Sequence, residues 1–301
     1  EGLAAGTVGG GRVEADVFEA AVAALRSRRS QILSFDLGAD YSEDADALCG
    51  GRMRILLDAR PEQSREALAA LLRAGSRRGS GVLTAAIKPS VGGVAVRRSW
   101  LSSSQIKSRR GRSSPASLAV ETAWAEKRPQ LVPAGKGLLY CEPRFPKPRL
   151  VIAGAGHVGR AAARLGDFLG FETIIIDDRP GLLRPDLIPG ASRLILGDIA
   201  RETARFRSDR NAFIVIVTRG HRHDAETLRA CLRGRARYIG MIGSSRKTAL
   251  LRESFLAKGW ATAEEWARVR TPIGLPIGSR TVEEIAVSIA AELVAARSGR
   301  L

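Results

Sequence analysis

Cysteine is scarce: Cys49, Cys141 and Cys231 are the three in a chain of 301 residues. So few exclude a disulfide framework, and their spacing excludes a zinc ribbon or finger. Long apolar runs are missing as well, and no stretch approaches the roughly 20 residues of a membrane-spanning helix. The N-terminus lacks a basic start followed by an apolar core, so no secretory signal is expected. A reducing, cytoplasmic setting is the expectation. The sequence opens at Glu1 inside what reads as a structured motif, and a longer natural start is expected. Lysine is sparse, seven residues among 48 basic ones, so arginine carries the formal charge of +17. Such a balance invites nucleic acid, but no recognition motif or aromatic-studded basic strand accompanies it, and no nucleic-acid partner is expected. An anionic ligand or an acidic protein surface would use the same field.

What is present is an ordinary soluble composition, 45% hydrophobic and 26% charged, in a length that suits about two domains. The first, over residues 1–145, reads as a small α/β domain. It opens with a glycine-rich turn at Gly6–Gly11, then an apolar helical stripe through Val13, Val17, Ala21 and Leu25. Strands are predicted at Ile32–Leu37 and Arg54–Asp58, and a helix at Gln63–Ala74. Two further strands, Val82–Ile87 and Gly93–Arg98, are predicted with a turn around Pro89, and another strand at Leu138–Cys141. Residues 101–130 are polar, basic and poor in apolar anchors, which predicts a flexible loop or linker. Pro143, Pro146 and Pro148 predict a stiff hinge.

Residues 146–301 alternate apolar strand-like runs with helical stretches, which predicts a Rossmann-like doubly wound parallel sheet. Its first run, Leu150–Ala153, leads directly into Gly154-Ala-Gly156-His-Val-Gly159. In this pattern the first glycine permits the tight turn, the second lets a phosphate approach the backbone, and the third lets the helix pack on the strand. The next strand, Thr173–Ile176, ends in Asp177, 23 residues past Gly154 and close to the spacing of a ribose-binding carboxylate. Arg179 leaves the choice between NAD and NADP open.

The chain has only three histidines. His157 lies in the glycine loop; His221 and His223 follow the fourth strand in Thr218-Arg219-Gly-His-Arg-His-Asp224. In a 3-2-1-4-5 strand order these loops share one crevice, so ligand contact or acid–base work is preferred over a permanent metal site. Asp224 is predicted to cap a helix starting at Ala225. Gly243-Ser244-Ser-Arg246-Lys247, after the fifth strand, offers a helix N-terminus, hydroxyls and cations to a phosphate. Pro272–Gly278 reads as a shaped loop before a final helix that opens with the capping box Thr281–Glu284.

These motifs, with Asp177-Asp-Arg-Pro180, Tyr238–Ser244, Pro272–Ser279 and Thr281–Ala286, closely resemble the XdhC/CoxI family. The N-terminal half resembles it more thinly, through Gly6–Glu14 and Cys49-Gly-Gly51. The family comprises accessory proteins of molybdenum hydroxylases such as xanthine dehydrogenase and carbon monoxide dehydrogenase. The resemblance implies a maturation chaperone rather than an enzyme. It would bind molybdenum cofactor (molybdopterin), assist its sulfuration and hand it to a molybdenum hydroxylase subunit, with a cysteine desulfurase as a second partner and a homodimer as the assembly. Expected cofactor-binding residues are Gly154, Gly156, His157, Gly159, Asp177, Arg219, His221, His223, Gly243, Ser244 and Arg246, joined by Gly10, Gly11, Glu14 and Cys49 from the first domain. Many relatives carry cysteine where this chain has Arg12, which leaves Cys49 as the family-like thiol. The alternatives are an NAD(P)-dependent oxidoreductase and a non-catalytic docking adaptor. No catalytic residue, metal ligand or membrane contact is assigned.

Overall fold

The computed structural model describes residues 6–37, 51–109, 111 and 114–301, and of His221 the backbone only. Its contacts divide the chain into Glu1–Pro146 and Lys147–Leu301.

In the first unit, helix α1 (Gly11–Ser27) is followed by the antiparallel pair β1 (Gln31–Asp36) and β2 (Arg52–Leu57), then by helix α2 (Arg65–Ser76). Strands β3 (Gly81–Ser90) and β4 (Gly93–Ser102), helices α3 (Ser103–Ser108) and α4 (Pro115–Glu126), and strands β5 (Gln130–Ala134) and β6 (Gly137–Arg144) complete it. The last four strands form one sheet in the order β4-β3-β6-β5. Val82, Leu139 and Cys141 on one sheet face are buried with Ile106 of α3 and Ala119, Val120 and Ala123 of α4.

Three expectations are corrected here. The described residues of 101–130 do not form a linker: they include the end of β4, α3, α4 and the start of β5. Two of the segment's serines are helix caps: Ser102 and Gln105 form a capping box on α3, and Ser114 accepts from the Ser117 amide ahead of Pro115 at the start of α4. Small buried residues anchor α4, which is why the segment looked short of apolar anchors. The β3–β4 turn lies at Val91-Gly92, with Gly92 at φ 72°, and Pro89 is within β3, opposite Val94. Pairing of β3 with β6 has already ended at Ile87, so the missing proline N–H breaks no bond there. Pro143 belongs to β6, opposite Val82, rather than to a hinge.

The second unit runs β7 (Arg149–Ala153), α5 (His157–Phe168), β8 (Glu172–Asp177), β9 (Arg193–Leu196), α6 (Ile199–Ala204), β10 (Ala212–Ile216) and α7 (His221–Leu232). It continues with β11 (Tyr238–Met241), α8 (Ser245–Ala257), α9 (Ala263–Ala267), β12 (Val269–Arg270) and α10 (Val282–Ser298). The six strands are ordered β12-β11-β10-β7-β8-β9 and every pair is parallel. The expected 3-2-1-4-5 order is therefore present, extended by a sixth strand. Residues 212–216 and 150–153 are fully buried, as strands covered on both faces require. Alternate strand residues point to two cores: Val151, Ile174 and Ile214 pack with α7 and α8, whereas Ile152, Ile175 and Val215 pack with α5 and α10. Among the described residues no helix is long and apolar enough to cross a membrane.

Candidate functional site

The carboxyl ends of β7, β8, β10 and β11 lie along one sheet edge, and the loops that leave them carry most of the expected site. Gly154 adopts φ 115°, and its amide donates to the Ile176 carbonyl at 2.8 Å. A Cβ there would run into the Val217 carbonyl, and one at Gly159 into the Gly154 carbonyl. Both glycines thus serve the tight turn and the close helix packing. Gly156, the N-cap of α5, differs: its φ is −68° and a Cβ would meet nothing within 4 Å. The space beside this residue is open. His157, the first helical residue, is exposed there.

Asp177 does not face that opening. Its side chain has 0% exposure. Oδ2 accepts from the Ala155 amide at 2.7 Å and from Arg179 Nη2 at 2.9 Å. Oδ1 accepts from the Arg179 amide at 2.9 Å and from Nε at 2.8 Å. Burial by itself would raise its pKa. The hydrogen bonds from the Arg179 side chain and the two amides outweigh burial and hold it down at about 2. Through the Ala155 amide the carboxylate braces the glycine loop, and in this structure its oxygens are held by Arg179 and two amides rather than turned to the crevice. The neighbouring acid, Asp178, is partly open and pairs with Arg219 Nη2 at 3.1 Å.

Helix α7 begins at His221, four residues ahead of the predicted start, with Gly220 at φ 86° as N-cap. His221 and His223 therefore lie in the first helical turn rather than in a loop. Asp224 is not a cap: its Oδ1 accepts from the Thr218 amide at 3.1 Å and hydroxyl at 2.6 Å, and Oδ2 accepts from Lys247 Nζ at 3.0 Å. The His223 ring is half-exposed and lines a cavity of about 50 Å³ with Asp178, Asp198, Glu226 and the buried Thr227. Its Nδ1 lies 3.9 Å from Glu226 Oε2. Sequence reasoning missed Thr218 and Asp178; a hydroxyl after the fourth strand and a second acid after Asp177 were the available signals.

Ser244 caps α8 by accepting from the Lys247 amide at 3.3 Å, so Gly243, Ser244 and the exposed Arg246 do surround a helix N-terminus. The loop after β12 is shaped as expected. Ile273 donates its amide to the Met241 carbonyl at 3.1 Å, while buried Glu292 accepts from the Gly274 amide at 2.7 Å and from Tyr238 Oη at 2.6 Å.

In the first unit, Gly10 and Gly11 take φ of 78° and 62°. Glu14 turns back into the turn, where Oε2 accepts from the Thr7 hydroxyl, from the Val8 amide at 3.0 Å and from the Gly10 amide at 3.3 Å. Cys49 lies outside the described residues. Among the described residues no group of three or more His, Cys, Asp or Glu is arranged to hold a metal ion.

Comparison with known proteins gives a consistent picture. The family model described as the XdhC Rossmann domain matches residues 150–293, and that of the XdhC and CoxI family matches residues 1–36. Escherichia coli (strain K12) "Uncharacterized protein YqeB" is 35% identical over 151 residues, which cover 49% of this chain and 27% of that protein. A probable xanthine dehydrogenase subunit from Bacillus subtilis (strain 168) is 31% identical over 152 residues, 50% of this chain and 44% of that protein. The chain thus matches less than half the length of either relative. A crystal structure of a xanthine dehydrogenase from Bacillus halodurans shares the fold at a TM-score of 0.74 and 23% identity, covering 99% of this chain and 84% of that one. With both ends matched by its models and its parallel sheet and glycine loop in place, the chain belongs to the XdhC and CoxI family.

Proposed function

We propose that this chain is an accessory protein that matures a molybdenum hydroxylase of the xanthine dehydrogenase type. In this reading it binds molybdenum cofactor at the Gly154–Gly159 loop, assists its sulfuration and passes it to the client enzyme. The observation that carries the reading is the open N-terminus of α5 in a chain of this family: Gly156 has free space where a Cβ would stand. First-turn amides of a helix have no partner within it and, with the helix dipole, favour an anion such as a pterin phosphate. Exposed Arg246, in the first turn of α8, adds a cation at the same sheet edge.

Among the described residues the fit is to the phosphate end of the cofactor rather than to its metal. Cys141 and Cys231 are buried, which pushes their thiols up to about 11 and about 12, so neither offers an accessible thiolate to molybdenum or to sulfur in this fold. When bound, the cofactor supplies the molybdenum centre at which a sulfido ligand replaces an oxo ligand. The sulfur would come from a partner of the cysteine desulfurase kind as a persulfide, with two electrons from a thiol reductant and the displaced oxo leaving as water. The net charge of +17 suits a client with an acidic docking face.

The test is to purify the full chain after expression with a molybdenum hydroxylase client and measure bound molybdopterin and activation of the apo-client. Wild type should carry molybdopterin and raise client activity, and Gly156→Val should lose both with an unchanged circular dichroism spectrum. A folded wild type that takes up none, or a Gly156→Val that matches it, overturns the reading.

A further inference from the structure

The Rossmann-like sheet raises the expectation of NAD or NADP, and the residues at the end of β8 do not fit either. A carboxylate has about four lone-pair sites, and an NAD-binding acid must keep some of them for the ribose hydroxyls. At Asp177 all are taken: Ala155 N and Arg179 Nη2 on Oδ2, Arg179 N and Nε on Oδ1, each within 2.9 Å. The Arg179 side chain contacts both oxygens of this acid in a fork, and the acid has no exposed surface.

NADP meets a second obstacle. Its 2′-phosphate needs a cation with charge to spare. Arg179 is paired to Asp177, and Arg219 to Asp178 at 3.1 Å, so two cations are balanced by two carboxylates at this strand end. We propose that Arg179 is a specificity-determining residue: it fills the adenosine-ribose subsite and closes the crevice to both NAD and NADP, while leaving the glycine loop free for a phosphate of another cofactor. The last clause rests on the function proposed above; the exclusion itself stands on the Asp177–Arg179 geometry.

Calorimetric titration of the full chain with NAD and NADP tests it. Wild type should bind neither with a dissociation constant below about 1 mM. In Arg179→Ala each Asp177 oxygen keeps its amide donor and regains a lone pair, so NAD affinity should rise by about tenfold or more. If that variant melts below the assay temperature, Arg179→Ser, which keeps a small donor beside Asp177, carries the same arm. Arg219→Ala leaves the Asp177 pair intact and should gain nothing. Micromolar binding of either dinucleotide by wild type, no gain in the folded Arg179 variant, or an equal gain in Arg219→Ala overturns the proposal. Molybdopterin content, measured separately, reports on the cofactor reading and leaves this outcome untouched.

Discussion

Asp224 and Lys247 meet at 3.0 Å across 23 residues of sequence, joining the first turn of α7 to the first turn of α8. Asp224 is 1% exposed and also holds the amide and hydroxyl of Thr218, where the chain leaves β10. One carboxylate therefore fixes two loop exits. Removing one member of a buried pair strands the other charge. Asp224→Ala should cost about 3–5 kcal/mol in urea unfolding at neutral pH, well beyond a lost helix cap. A loss near 1 kcal/mol would show that Lys247 simply swings into water.

The three loop glycines should respond differently to a side chain. Gly154→Ala puts a Cβ on a residue at φ 115° and against the Val217 carbonyl, and Gly159→Ala drives one against the Gly154 carbonyl. Each should destabilise by about 1–3 kcal/mol or more, read as a lower melting temperature. Gly156→Val should leave the melt within a few degrees, because its ordinary φ and open surroundings admit the side chain. Equal melting temperatures for the three variants would contradict this division of roles.

Acid should weaken the second unit through Asp177. Its carboxyl sits at about 2 in the folded chain against an ordinary value of 3.8. A depressed folded pKa contributes stability that is complete above the unfolded value and is lost as pH falls from about 4 to about 2. The contribution is on the order of 2 kcal/mol. Denaturation midpoints at a series of pH values should show this slope in wild type and a reduced one in Asp177→Asn. An identical slope in both would place the acid sensitivity elsewhere.

Cys141 and Cys231 should resist alkylation in the native chain. Burial pushes them up to about 11 and about 12, so at pH 8 their thiolate fraction is on the order of a thousandth or less. Peptide mapping after brief iodoacetamide treatment should find both unmodified until denaturant is added. Rapid native labelling of either would mean that its core opens readily.

The sheet of the second unit was legible because its strands are short apolar runs set between helices; Leu150–Ala153 and Ala212–Ile216 can be little else when buried on both faces. The two-residue β12 carries no such run, and only its neighbour β11 defines it. Composition misled at 101–130, because serine serves disorder and helix capping alike and only the residues that follow it tell the two apart. The candidate residues were legible in their place along the sheet edge but not in the direction of their side chains. Motif spacing located Asp177; whether its carboxylate turns outward depends on the arginine two residues later, which wins it with a two-pronged contact. Asp224 shows the same limit, since its burial depends on where α7 begins, four residues upstream of the apolar pattern.

The Glu14 turn has a consequence for competition at the start of α1. The carboxylate spans the Thr7 hydroxyl and the Val8 and Gly10 amides, the groups a visiting anion would otherwise use. The Thr7 hydrogen bond, with that of Val8, lowers its pKa, so it is ionised throughout the neutral range. An internal group of this kind acts at an effective concentration near the millimolar scale of a short tether or above it. A phosphate or carboxylate in solution must therefore outcompete a resident rival that never diffuses away. Anion binding at the Val8 and Gly10 amides should be weakened in the native chain and strengthened in Glu14→Gln.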